Sequence, residues 1–199
     1  MALYLPRYNS VFIHIYKTAG TSIRTYLMKL DKNYSEIGSS GHSDYSEIQN
    51  EVQDKILFSV VRNPYDWIYS LYQYGKTYNS HPFYSFCVTH NFDQFVKWYF
   101  DNIEILNTSG VNGKLQTQTE YLSIDGILKV KNILKMENLE TELNKLFRDV
   151  FRQNLLIRLD TLNSTPYPKI TPQNIKTETI NIINEKYHND FINFNYPKI

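Results

Sequence analysis

A single cysteine, Cys87, stands in 199 residues, so the chain can close no internal disulfide and suits a reducing compartment. Neither sign of charge is in excess. Lys and Arg number 21 against 20 Asp and Glu, for a formal net charge of +1. That balance argues against a general nucleic-acid binder, which would need a visible Lys/Arg surplus to meet phosphates. Any basic surface must therefore be local, around Lys17, Arg24 and Arg62. The N-terminal stretch Met1–Arg7 holds no apolar run long enough for a signal peptide or membrane anchor, and the expectation is a soluble, cytoplasmic protein. The five His, at 14, 42, 81, 90 and 188, lack ligand spacing, so no metal site is expected. No internal repeat or low-complexity tract is present.

What remains is ordinary globular material: 42% hydrophobic, 15% aromatic and 21% charged residues. The length suits one domain over residues 1–199 with a real core. Strand signals fall at Val11–Tyr16, near Tyr34–Ile37, at Ile56–Val61 and near Val130–Lys135. Helix signals fall at Ser22–Leu30, Asp44–Val52, Pro64–Tyr74, Asp93–Asp101, Leu139–Phe147 and Thr177–Phe191. The turn-rich segment Asn107–Lys114 reads as an exposed loop. Thr161–Pro172, with Pro166, Pro168 and Pro172, reads as a loop or lid. Strands alternating with helices predict an α/β fold, a parallel sheet of about four or five strands covered by helices on both faces.

Two strand–turn–helix units carry the chemistry. The first runs from the apolar segment ending at Ile15 through Tyr16-Lys17-Thr18-Ala19-Gly20-Thr21-Ser22 into a helix with Ile23, Tyr26, Leu27 and Leu30 on one face. Turn N–H groups and a helix N-terminus converge on one spot, Lys17 adds a full charge there, and Thr21 and Ser22 can cap the helix. A phosphate or sulfate suits such a place. An ordinary turn with a solvated Lys is the alternative for this segment alone. It is not a Walker A loop, because Lys17 comes first and Gly20 is its only glycine. In the second unit the apolar strand Lys55–Val61 runs into Arg62-Asn63-Pro64, with Asn63 as helix cap and Pro64 at the first helical position. Arg62 ends a buried strand. A surface cation is the bland reading, but open α/β sheets bind ligands in the crevice at the carboxyl ends of their strands. The ligand is therefore expected at the carboxyl ends of the first and third candidate strands, in a P-loop-type domain.

These residues resemble the sulfotransferases that use 3′-phosphoadenosine-5′-phosphosulfate (PAPS). The first loop is similar to the family's 5′-phosphosulfate loop, H-x-P-K-T-G/A-G-T-S, with Tyr16 in place of Pro. Arg62 and Ser70 match its 3′-phosphate motif, in which Trp67 replaces a frequent second Arg. Further landmarks follow in order: Gln116–Leu122, Ile133–Leu139, Leu162–Ser164 and Tyr187–Tyr196. The match spans almost the whole chain and points to the carbohydrate-type branch, which includes heparan sulfate 2-O-sulfotransferase and small bacterial relatives.

The resemblance implies a P-loop-NTPase-like fold and sulfuryl transfer from PAPS to a hydroxyl of a glycan or small molecule, with adenosine 3′,5′-bisphosphate as product and no metal. Lys17, Thr18, Ala19, Gly20, Thr21 and Ser22 would hold the 5′ end, and Arg62 and Ser70 the 3′-phosphate. Lys17 would also stabilise the leaving phosphate. His42, in a segment similar to the branch's G-H-x-x-(F/Y), is the expected base, and a His titrating near neutrality suits proton abstraction. Glu36 and Asp44 are the carboxylate alternatives, while His14, inside a strand, is given a supporting role. Acceptor choice is expected in loops near Tyr74–Asn91, Asn107–Gln118 and Thr161–Pro172. A different nucleotide-binding protein, a small kinase or a silent binder, is the alternative. Neither Ile56–Val61 nor Val130–Lys135 ends in the Asp that a kinase needs.

Overall fold

A computed structural model of the chain describes every residue except 40, 109–114, 161–169 and 171. Most of the expected loop or lid Thr161–Pro172 and most of the expected loop Asn107–Lys114 therefore lie outside the described residues. The elements begin with β1 (Ala2–Leu5), β2 (Ser10–Ile13), α1 (Gly20–Leu30), β3 (Ser35–Ile37), α2 (Tyr45–Ile48) and β4 (Ile56–Val61). Next come α3 (Pro64–Thr77), α4 (Tyr84–Thr89), α5 (Phe92–Asp101), α6 (Ile103–Thr108) and α7 (Gln118–Tyr121). The chain closes with β5 (Ser123–Ile124), β6 (Ile127–Leu128), β7 (Asn132–Lys135), α8 (Leu139–Asp149), α9 (Thr177–Lys186) and α10 (His188–Asn193). Contacts group the chain into two compact units, Met1–Arg62 with Gln118–Ser164, and Asn63–Thr117 with Thr165–Ile199.

The first unit is built on a five-stranded sheet in the order β3-β1-β2-β4-β7. β2, β4 and β7 pair in parallel, and β1 runs antiparallel to both β2 and β3. Four strands thus share one direction, as the βα alternation predicts, and β1 opposes them. The parallel sheet expected from sequence is found, with one antiparallel strand added to it, β1. The cause of that reversal is local: the short connection Pro6–Asn9, a 3-10 turn closed by Asn9 in the left-handed region (φ 44), is too short for a parallel crossover. At four residues β1 is also too short for its period to stand out in the sequence. One sheet face packs Leu3, Leu5, Phe12, Phe58, Val60 and Leu134 against Ile23 and Leu27 of α1 and Leu143, Leu146 and Phe147 of α8. Val11, Ile13, Ser59 and Val61 on the other face are buried too, so the central strands read as continuous apolar runs rather than alternating ones.

Polar side chains set the strand ends. Ser59 Oγ donates to the Ile13 carbonyl at 2.7 Å, joining β4 to the last residue of β2. Asn132 Nδ2 donates to the Leu57 carbonyl at 2.8 Å. The expected helix Asp44–Val52 proves shorter: α2 holds one turn, capped by Asp44 Oδ1, which accepts from Glu47 N, and a 3-10 turn follows.

The second unit is helical. Asn63 Oδ1 accepts from Tyr65 N, with Pro64 opening α3, as the Asn-Pro pair predicts. Its core stacks aromatic rings, with Phe83, Phe95 and Tyr99 in mutual contact and Trp67 against Tyr187 at 5.4 Å. Two expectations are corrected. Tyr74–Asn91 is largely helical, since it contains the end of α3 and all of α4. The helix expected over Thr177–Phe191 breaks at Tyr187 (φ -104, ψ 24), whose ring is buried against Trp67 and Phe100.

Trp67 is 1% exposed, so at this position the side chain serves packing. Installing the charge that the resembled motif carries, Trp67→Arg, removes that ring and buries a cation. Urea unfolding should show a loss of more than about 3 kcal/mol. A change within about 0.5 kcal/mol would mean that the position faces solvent or a ligand.

Candidate active site

The loop after β2 is bent by two left-handed residues, Lys17 (φ 62) and Ala19 (φ 61). Neither is glycine, so each conformation costs about 1 kcal/mol or more and must be imposed by its surroundings. Two contacts impose it. Buried Thr18 donates its Oγ1 proton to the Ile15 carbonyl at 2.7 Å, closing the turn on itself. Behind the turn lies the His14 ring, so close that a Cβ built on Gly20 would sit 1.6 Å from His14 Nε2. Only glycine tolerates that approach.

Ala19 is therefore the cap residue of α1, and it offers no side-chain hydrogen bond. This corrects the sequence expectation that Thr21 and Ser22 cap the helix. They occupy its first turn instead, beside the N–H groups that helix geometry leaves without intrahelical acceptors. The first intrahelical bond is Ile23 N to the Ala19 carbonyl, 3.2 Å. With no acidic residue in that first turn, the helix end keeps its positive character.

Arg62 comes to the same place. β4 lies parallel to β2, with Ser59 opposite Ile13, so both strands release their chains at one edge. Arg62 Nη1 donates to the Lys17 carbonyl at 3.3 Å. Its backbone is held by Gln118, fully buried, whose Oε1 accepts from Arg62 N and whose Nε2 donates to Arg62 O, both at 2.8 Å. The Gln118 amide thus continues the strand ladder by one rung and fixes where the guanidinium departs. Sequence reasoning noted the segment as a landmark but assigned Gln118 no role, because nothing local reveals a partner 56 positions away. Burial, with the Arg62 guanidinium next, pushes the Lys17 ammonium down to about 8. Two cations sharing a partly desolvated site repel each other, and a bound anion relieves that repulsion.

His42 stands on the other side of His14. Its Nδ1 lies 3.2 Å from the His14 carbonyl. A carbonyl can only accept, so Nδ1 carries the proton and Nε2 keeps a lone pair. Burial pushes the His42 imidazole down to about 4, although the bond to that carbonyl works the other way. Burial, with His42 and Arg24 adding to it, also holds His14 well below the ordinary histidine range. Both rings are thus neutral at neutral pH, which corrects the expectation of a base titrating near neutrality. Tyr16, which takes the place of the family's Pro, sets its ring edge-on to His42 and to Tyr121, each 5.9 Å between centroids. The His42 and His14 rings, 4.5 Å apart, border a pocket of about 280 Å³ that also meets Thr21, Arg24 and Glu36.

The two carboxylates named as alternative bases are differently placed. Asp44 is buried and accepts from Glu47 N and from Ser46 Oγ as the cap of α2, which commits it to local structure. Glu36 forms an ion pair with Arg24 at the pocket. The first unit thus brings together Lys17, Thr18, Ala19, Gly20, Thr21, Ser22, His42 and Arg62. Ser70 belongs to the second unit, 2% exposed on α3. Among the described residues, no three His, Cys, Asp or Glu side chains gather as a metal set, and no helix is long and apolar enough to cross a membrane.

Neither the curated proteins nor the solved structures gave a match. The sulfotransferase family profile matches residues 1–197, covering both strand–turn–helix units and the segment that supplies Gln118. The mixed α/β sheet with its loop between β2 and α1 is consistent with the P-loop-like fold of that family. With almost its full length matched, the chain belongs to the sulfotransferase family.

Proposed function

We propose that this protein, working as one sulfotransferase domain over residues 1–199, transfers the sulfuryl group of PAPS to a hydroxyl of a glycan or small-molecule acceptor. The observation that carries the reading is the convergence of Lys17 and Arg62 at the N-terminus of α1. In this reading the loop Lys17-Thr18-Ala19-Gly20-Thr21-Ser22 holds the 5′-phosphosulfate by main-chain N–H groups and by the hydroxyls of Thr21 and Ser22. Thr18 serves through its main chain, since its hydroxyl proton already closes the turn. Arg62 and Ser70 take the 3′-phosphate. One domain fold serves the chemistry without a metal, in a cytoplasmic protein.

The chemistry asks for three things: a base for the acceptor proton, charge to steady the transferring group, and charge on the leaving phosphate. The acceptor O–H gives its proton to His42 Nε2, and its oxygen bonds to sulfur. The bond between sulfur and the bridging 5′-phosphate oxygen breaks, leaving adenosine 3′,5′-bisphosphate. Lys17 meets the negative charge that gathers on that bridging oxygen. A neutral His42 is ready for this at pH 7 because burial keeps it unprotonated. The direct test is transfer of labelled sulfate from PAPS across a panel of hydroxyl acceptors. No transfer to any acceptor, together with stabilisation by ATP and magnesium alone, would contradict the reading.

Arg62→Ala should weaken adenosine 3′,5′-bisphosphate by roughly 10- to 100-fold, the size of a lost hydrogen bond to a charged group. Adenosine 5′-phosphosulfate, which has no 3′-phosphate, should change by less than about threefold on the same scale. Calorimetric titration of both ligands decides it, and equal weakening would make Arg62 a structural residue.

The pH profile follows from the two shifted groups. His42 must be neutral, and its folded pKa lies near 4, so kcat/KM should rise through about 4 and be flat across the ordinary histidine range. Lys17 must be charged, so the profile should fall above about 8. His42→Ala should lower kcat by about 10²–10⁴-fold and leave bisphosphate affinity intact. An acidic limb near 6.5 would mean that His42 is not held neutral by burial, and near-normal turnover in His42→Ala would move the base to Glu36.

A further inference from the structure

Lys17 must be charged to hold the donor, yet its surroundings work against that charge. The side chain is half-buried, and burial, with the Arg62 guanidinium next, weakens its hold on the proton. A lysine that is desolvated or set beside another cation is a nucleophilic amine in waiting. What such an amine can carry depends on the groups around it. Arg62 Nη1 donates to the Lys17 carbonyl at 3.3 Å, which keeps the guanidinium at this residue. Helix α1 then begins at Gly20 with no acidic residue in its first turn, so its N-terminus adds positive potential. An aldehyde would leave an imine here, and an acyl donor a neutral amide. Neither brings the negative charge that this cluster of positive groups favours. Carbon dioxide does, because its adduct with an amine is a carbamate. That group is a planar anion whose two oxygens fit a guanidinium fork as a carboxylate does.

We propose that Lys17 is a reversible carbon dioxide site, where its side-chain nitrogen forms a carbamate that pairs with Arg62 in the place the donor's phosphosulfate takes. The lone pair of neutral Nζ attacks the carbon of CO2 and an N–C bond forms. One C=O π pair moves onto oxygen, and one Nζ proton passes to solvent. Nothing is oxidised or reduced. The product exchanges a cation that Arg62 repels for an anion that Arg62 attracts. It also removes the charge that meets the donor's bridging oxygen and fills the donor's place. Carboxylated Lys17 is therefore a resting form, for which CO2 and the donor compete. The inference rests on the sulfotransferase reading for that competition, whereas the carbamate itself needs only the anion site.

The test equilibrates the full wild-type chain with isotope-labelled bicarbonate near neutral pH, traps carbamates with triethyloxonium ion and maps the peptides by mass. Mapping separates Lys17 from the chain's other amines. Lys17 should carry label at about tenfold or more the level of a lysine with an ordinary pKa, with the exposed Lys97 and Lys145 as references. The reason is that the fall of its pKa from 10.5 to about 8 greatly enlarges the neutral fraction. Inorganic phosphate should suppress the label on Lys17, and adenosine 3′,5′-bisphosphate should do so at lower concentration. Arg62→Ala should lower it by about tenfold or more, the size of a lost hydrogen bond between charged groups. The label on Lys97 and Lys145 should not change. Label on Lys17 no higher than on those two, or label that persists in saturating phosphate, would overturn the inference. Suppression by phosphate but not by the bisphosphate would support the carbamate and count against the nucleotide reading. Calorimetric binding of the bisphosphate with no label on Lys17 would overturn the carbamate and leave that reading standing, so the two fail separately.

Discussion

The contact between the His14 ring and the Gly20 backbone is the constraint on which the rest of the site depends. It leaves no room for a Cβ, and with the Thr18 to Ile15 hydrogen bond it holds Lys17 and Ala19 in left-handed conformations that neither residue prefers. Strain of this sort persists only where the surroundings over-determine it. Here it turns the chain abruptly from the end of β2 into α1. The N-terminus of the helix then faces the same edge to which β4 delivers Arg62. His14 serves both sides of the site, since its ring shapes the anion loop and its carbonyl fixes the tautomer of His42.

Burial then sets the protonation of every group that matters. It lowers Lys17 toward neutrality and keeps both imidazoles uncharged. A site of this kind holds two cations at the loop, poorly solvated and mutually repelling, next to a neutral imidazole with a committed Nδ1–H. An anion at the loop would relieve the repulsion, and a hydroxyl could donate to the open imidazole nitrogen.

Much of this was legible in the chain. The Lys17–Ser22 turn, the strand ending in Arg62 and the Asn63-Pro64 helix start are local patterns, and local patterns survive folding. Other features needed coordinates. Gln118 clamps Arg62 from 56 positions away. β1 hides its antiparallel sense in a four-residue strand. Asp44 looks like a candidate base until its oxygen is seen capping α2. The protonation of His42 was the largest departure, because composition says nothing of how deeply a ring will be placed. The Arg24–Glu36 pair joins residues on a helix and an edge strand, and no motif announces it.

The claim at the centre is that the Lys17 loop and Arg62 form a site for a 3′,5′-bisphosphorylated adenosine. Differential scanning fluorimetry of the full chain tests it most directly, comparing adenosine 3′,5′-bisphosphate without metal against ATP with magnesium. Ligand that binds only the folded state raises Tm roughly with the logarithm of its concentration over Kd. The account predicts a concentration-dependent rise with the bisphosphate and little or none with ATP and magnesium. A rise with ATP and magnesium alone would contradict it.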